Sequence, residues 1–240
     1  MRKHWVAALL LSLACAPSAA VDLPPQVAGG FYPADAAELS RSVDALLASA
    51  STQAVGGRIL AVLAPHAGYS YSGPTAAAAF KQLAGTRWDT VVVLAAGHRM
   101  AIPGAATLSS GAIHTPLGAV PIDAEAVRTL RAAAPLIEDL PEAFTGEHSV
   151  EVELPFLQRT LGRFKLVPLL MNAEDPEAAR LVGEALAGLL RSGKVLLVVS
   201  SDLSLYPDRD TARSVDRTSL AALLASAEDP EYTRAQHAAR

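Results

Sequence analysis

The chain has 240 residues, 51% of them hydrophobic and 18% charged, with a formal net charge of −4; this balance supports a buried core and argues against intrinsic disorder and against a basic nucleic-acid-binding surface. One domain is the expectation at this length, able to bury roughly three quarters of its unfolded surface without staples. Its single cysteine, Cys15, excludes an intrachain disulfide and a multi-cysteine zinc site, and leaves no thiol nucleophile in the folded body.

Arg2 and Lys3 precede an apolar run from Trp5 to Ala16, followed by Pro17, Ser18, Ala19 and Ala20. A basic start, an apolar run too short to span a bilayer and small residues at the −3 and −1 positions describe a secretory signal peptide over residues 1–20, cleaved near Ala20. The expected mature chain, residues 21–240, is then exported to the periplasm or beyond. A lipoprotein signal with Cys15 as the lipidated residue is the rival, less favoured because Ser12 stands where a large aliphatic side chain is expected. No later stretch approaches the roughly eighteen apolar residues of a membrane span.

Beyond the signal, apolar runs alternate with helical patterns. Strands are expected at 58–63, 90–95, 164–171 and 195–200, and helices at 75–83, 124–133, 150–161, 176–190 and from about 208 to 225. The strands are continuously apolar, as TVVVLA over 90–95 and VLLVVS over 195–200 illustrate. A sheet covered by helices on both faces requires this, so the fold class is α/β with a parallel-rich or mixed central sheet. The last helical patterns are not followed by another apolar strand, leaving one sheet edge open or differently covered.

Ligands of such sheets bind beyond the carboxyl ends of the strands. Polar clusters stand there: Pro65-His66-Ala67-Gly68-Tyr69-Ser70-Tyr71-Ser72 after the first strand, Gly97-His98-Arg99 after the second and Ser200-Ser201-Asp202-Leu203-Ser204 after the last, with Gly146-Glu147-His148-Ser149 before the helix at 150. Only six histidines are present, and three of them fall in these clusters. A lone histidine so placed is more often structural; three together point to a site. The glycines here serve loop geometry, since neither GxGxxG nor a P-loop lysine is present, and the serines lack the GxSxG elbow of a hydrolase. Tyr69 and Tyr71 are read evenly as pocket or core residues. His114 is read as structural, on a hairpin or loop; Glu138, Asp139 and Glu142 as a solvated acidic loop; and His237 as exposed in a polar tail.

PHAGYSYSGPTAAAAF, Gly97-His98, the run His114-Thr115-Pro116-Leu117-Gly118 leading to Pro121-Ile122-Asp123, EHSVEVELPFLQ and SSDLS together resemble, in order, the blocks of the Memo family, also called AmmeMemoRadiSam system protein B. The resemblance implies a fold similar to class III extradiol dioxygenases and a pocket for a redox metal, iron or copper. His66 and His98 match the family's two histidine ligands. His148 and Asp202 are the candidate catalytic groups, while Glu147, Tyr69 and Ser201 are candidates to orient ligands or line a substrate pocket. Two departures stand out: Leu205 occupies the position of a further family histidine, and the family's cysteine ligand in a C-terminal CG block has no counterpart. The implied function is an exported metal-dependent, redox or dioxygenase-like protein; the alternatives are a non-catalytic small-molecule or peptide binder and a degenerate member without activity.

Overall fold

The computed structural model of the protein describes residues 20–172, 175–204 and 206–227. The expected signal segment up to residue 19, Leu205 and His237 lie outside them. In chain order the elements are β1 (Val21–Leu23), α1 (Ala36–Ser49), β2 (Ala61–Ala64), α2 (Tyr69–Lys81), β3 (Thr90–Ala96), β4 (Ala105–Thr107), β5 (Gly111–Thr115), β6 (Gly118–Pro121), α3 (Ala124–Ala133), β7 (Ile137–Asp139), α4 (Leu154–Leu161), β8 (Lys165–Met171), α5 (Pro176–Leu190), β9 (Val195–Ser200) and α6 (Arg209–Ala227). Two 3-10 turns, Pro141–Phe144 and Glu151–Glu153, flank the loop that carries His148.

The main sheet has the order β2-β9-β3-β8-β4-β7. All its pairings are parallel except β4 with β8. α1, α2 and α4 pack together on one face, and α3 and α5 on the other, which is why the central strands carry no alternation. Val91, Val92 and Val93 are all completely buried. The observed class is therefore the expected α/β arrangement. A second sheet, β1-β5-β6, sits at its side. There Gly111 has φ +109°, and a Cβ on it would stand 2.0 Å from the Val21 carbonyl oxygen, so only glycine allows β1 to approach.

Four helices begin on aspartate caps. Asp35, Asp123, Asp175 and Asp208 accept from the backbone N–H of Glu38, Ala126, Glu177 and Thr211, satisfying donors the first turn leaves free. Asp123 also accepts from the Thr90 hydroxyl at 2.5 Å, tying α3 to the start of β3.

Four expectations need correction. α2 starts at Tyr69 rather than at residue 75, because Tyr69, Ser72, Gly73, Ala76, Ala77 and Phe80 already form its buried stripe. Pro74 does not break the helix: the carbonyl its ring leaves unpaired belongs to exposed Ser70 and can turn to water. The first strand is shorter than expected, and Arg58 instead stacks over the Trp88 ring at 4.2 Å. The helix expected from residue 150 opens as the tight turn Glu151–Glu153 before α4. The acidic loop at 138–139 belongs to β7, where Asp139 accepts from the Ser109 N–H at 3.0 Å, although Glu138 and Glu142 are exposed as expected.

Candidate metal centre

β9 lies between β2 and β3, with Ser200 opposite Ala64 on one side and Ala95 on the other. Because these strands are parallel, they release their loops at one end of the sheet. Two residues beyond the three strand ends stand His66, Asp202 and His98. The loop carrying His148 is drawn to the same end: the Ser149 hydroxyl donates to the Ala96 carbonyl at 2.7 Å, and Glu147 accepts the His98 N–H at 2.6 Å.

The three imidazoles meet. Ring centroids are 5.3 Å apart for His66 and His98, 5.5 Å for His66 and His148, and 4.7 Å for His98 and His148. One nitrogen from each lies within 4.8 Å of the other two. Nitrogens sharing one ion at about 2.0–2.1 Å would sit somewhat closer, about 3.3–3.5 Å apart, so small ring movements suffice to close the site. His66 is buried, His148 half-buried and His98 exposed. The cluster is thus open to solvent along its His98 side. Phe31 packs against His148 with its ring tilted by 46°, at 4.7 Å between centroids.

Glu147 organises two of the three rings. One of its carboxylate oxygens accepts from His98 Nδ1 at 3.0 Å and from the N–H groups of His148 and Ser149 at 2.7 and 3.0 Å; His148 Nδ1 lies 3.2 Å away. Burial alone would raise its pKa, but the donors from Ser149, His98 and His148 outweigh it and hold the carboxyl at about 2. An ionised carboxylate can only accept, so His98 carries a proton on Nδ1 and donates it to Glu147. Burial pushes His148 down to about 4 and lowers His66. Both are neutral at physiological pH, the state in which imidazole binds metal.

His66 Nδ1 faces the Ser200 hydroxyl at 2.8 Å, and that hydroxyl also lies 2.7 Å from Glu153 and 2.7 Å from the Ser149 carbonyl. Glu153 is completely enclosed, and burial, with the charge of Asp202 added, pushes its carboxyl up to about 8. Glu151 caps the other side of the turn, accepting from the N–H groups of Gln26 and Val27 and from the Tyr32 hydroxyl, which fastens the N-terminal segment to the site.

A model of the Memo-like protein family matches residues 24–239. The chain belongs to this family. A MEMO1 family protein of Methanopyrus kandleri is 38% identical over 205 residues, covering 80% of this chain and 72% of that one. Those of Methanothermobacter thermautotrophicus and Aquifex aeolicus are 37% and 36% identical over 202 and 200 residues, covering 80% and 83% of this chain and 73% of each relative.

In this Memo-like protein the other candidates fall into different places. Asp202 accepts the backbone N–H of His66 at 2.8 Å and, with Ser201, Tyr71 and Asp216, lines an open cleft of about 670 Å³ between α2 and α6. Tyr69 is core: its hydroxyl donates to the Val152 carbonyl and its ring packs 4.9 Å from Phe156. Tyr71 is exposed. His114 lies on β5, 3.9 Å from Asp22 and away from the cluster. Among the described residues no helix is long and apolar enough to cross a membrane. The sequence reading overlooked Glu151 and Glu153, and took Ser200 only as a failed nucleophile. The signal available for the two acids was their alternation with Val150, Val152 and Leu154, which left two carboxylates inside a run that packs on the core.

Proposed function

We propose that this Memo-like protein is exported and holds a transition metal, iron or copper, on His66, His98 and His148, with redox or dioxygenase-like activity at that centre. The observation that carries this reading is the convergence of three imidazoles, one nitrogen of each within 4.8 Å of the other two, with Glu147 holding His98 by Nδ1. His148 moves in this reading from a catalytic role to that of third ligand. Asp202, which holds the His66 loop and lines the cleft, is the carboxylate available to take a proton from a bound ligand. When bound, the metal would supply a Lewis acid and an electron donor or acceptor to a chelating ligand. The exposed edge of His98 is the route of approach, and Phe31 packs against the His148 ring.

The test is metal analysis and titration of the purified mature protein. Wild type is expected to bind one equivalent of iron(II) or copper, and His66→Ala, His98→Ala and His148→Ala each to lose it. Unchanged metal content in all three variants would remove the metal reading and leave a non-catalytic binder of a small molecule or peptide in its place.

A further inference from the structure

Counting protons around Ser200 fixes more than the metal reading uses. The Ser200 oxygen has three neighbours at hydrogen-bond distance: His66 Nδ1 at 2.8 Å, Glu153 Oε1 at 2.7 Å and the Ser149 carbonyl at 2.7 Å. A hydroxyl carries one proton and can accept two. The Ser149 carbonyl can only accept, so it takes the serine proton if all three contacts are hydrogen bonds. The other two neighbours must then both donate: His66 through Nδ1–H, and Glu153 through a carboxylic O–H. The opposite assignment, with the serine proton given to His66 or to an ionised Glu153, leaves the Ser149 carbonyl facing a bare oxygen.

A second observation leads to the same protonation state. Among the described residues the other Glu153 oxygen, Oε2, is buried with no hydrogen-bond partner, and the residue is 1% exposed. The charge that bears on this carboxyl is the negative one of Asp202. A carboxylate so placed would keep a full charge on one hydrogen bond, whereas the carbonyl oxygen of a neutral acid costs far less to leave unpaired. Glu153 Oε2 is therefore the carbonyl end of a neutral acid whose O–H points at Ser200.

We propose that Ser200 and Glu153 are positioning residues that hold His66 in its Nδ1–H form, Glu153 acting as a hydrogen-bond donor and not as a carboxylate. The three-way junction joins the ends of β2 and β9 to Ser149, the residue after His148, so the orientation of one ring is tied to the loop of another. Glu147 does the same for His98 and His148 with the opposite chemistry, as an ionised acceptor. The assignment of the ring tautomer concerns the metal-free protein; only its consequence for metal affinity rests on the function proposed above.

The test uses two spectroscopic readings on the metal-free, full mature chain at pH 7. In nitrogen-15 NMR, with the His66 signals identified by their loss in His66→Gln, wild type is expected to show a protonated Nδ1 and an unprotonated Nε2. In infrared difference spectra against Glu153→Gln, wild type is expected to show the carbonyl stretch of a protonated carboxylic acid. Glu153→Gln, whose amide can still donate to Ser200, should keep the His66 tautomer and stay within about twofold in affinity for added zinc or iron(II). Ser200→Ala should convert His66 to a tautomer mixture and weaken that affinity about 10–100-fold, the usual loss when a ligand's hydrogen-bond partner is removed. A wild-type His66 protonated on Nε2, absence of the carboxylic acid band, or an unchanged tautomer in folded Ser200→Ala would each overturn the proposal. The first two readings need no variant at Ser200, so a misfolded Ser200→Ala protein does not shelter it. A failure of the protein to bind metal, with the tautomer and the acid band as expected, would refute the metal function and leave the junction standing.

Discussion

Replacing Glu147 with glutamine changes one atom of the site and removes its organising charge. Glu147 receives the His98 N–H on one oxygen and the His98 ring and two backbone N–H groups on the other. An amide can present an acceptor on one side only. Whichever way it turns, at least one buried N–H faces an NH2 group, and an unsatisfied buried donor costs about 1–3 kcal/mol. Linkage gives a similar magnitude: a carboxyl held at about 2 instead of 4.5 corresponds to about 3 kcal/mol at about 1.4 kcal/mol per pH unit. The side chain is only 1% exposed, so solvent screening discounts this little. The sign follows from the lowered value. Stabilisation by Glu147 is fully present above pH 4.5 and is lost as pH falls from there toward 2. Urea unfolding of metal-free protein should therefore show Glu147→Gln less stable by about 2–3 kcal/mol at pH 7, with the difference shrinking below pH 4. Metal affinity should fall about 10–100-fold with it, since His98 and His148 lose their orienting partner. A variant within about 0.5 kcal/mol of wild type at pH 7, or a gap that does not shrink in acid, would refute the assignment of an ionised, four-donor carboxylate.

Glu153 predicts the opposite pH limb. With its carboxyl raised to about 8, the folded state holds a proton that the unfolded state has lost between pH 4.5 and 8, so this group's contribution to stability declines as pH rises through that window; Glu153→Gln, compared with wild type by urea unfolding at pH 5 and pH 8, should abolish that decline. Gly111→Ala should lower stability by about 2–4 kcal/mol, because it combines a strained positive φ with a Cβ against the Val21 carbonyl; thermal melting equal to wild type would contradict the β1–β5 contact. N-terminal sequencing of exported protein should begin at or near Val21, and Cys15→Ala should leave localisation unaltered; recovery of a lipidated Cys15 would establish a lipoprotein instead.

The longer elements were legible because their signals are local. β3, α3, α5 and β9 fall where their apolar runs and helical periods place them, and each is stabilised mainly by burying its own pattern. The strands β1, β4 and β7 have three residues each. Their pairing partners lie far away in the chain, and no three-residue pattern announces a partner. α2 was obscured by Pro74, whose cost is small because the orphaned carbonyl belongs to exposed Ser70. At the site, each histidine could be read as standing past a strand or before a helix. Their convergence could not, since it depends on the order β2-β9-β3 and on the bond between Ser149 and Ala96. Glu151 and Glu153 were hidden for a different reason: a helical reading of 150–161 sends alternate residues to solvent, whereas the tight turn before α4 turns both acids inward.

The segment 147–153 therefore carries two glutamates that support the same three histidines in opposite charge states. Glu147 meets three backbone or ring donors around one oxygen and a fourth on the other, and these stabilise the anion more than burial penalises it. Glu153 meets one hydroxyl and a nearby anion, and burial wins. Environments that drive neighbouring carboxyls apart in this way divide labour between them. Here the division sets the charge that an ion would meet: the carboxylates of Glu147 and Asp202 stand beside the imidazoles, and Glu153 adds no third while it keeps its proton. Ionising Glu153 would add a further negative charge behind His66 and draw the Ser200 proton away from Ser149. That would strengthen the attraction for a cation while loosening the loop that presents His148. The two effects oppose each other, so Glu153→Gln separates them: it preserves the loop at every pH and never adds the charge. Metal affinity in that variant should accordingly be flat between pH 7 and 9, where wild type changes as its Glu153 titrates.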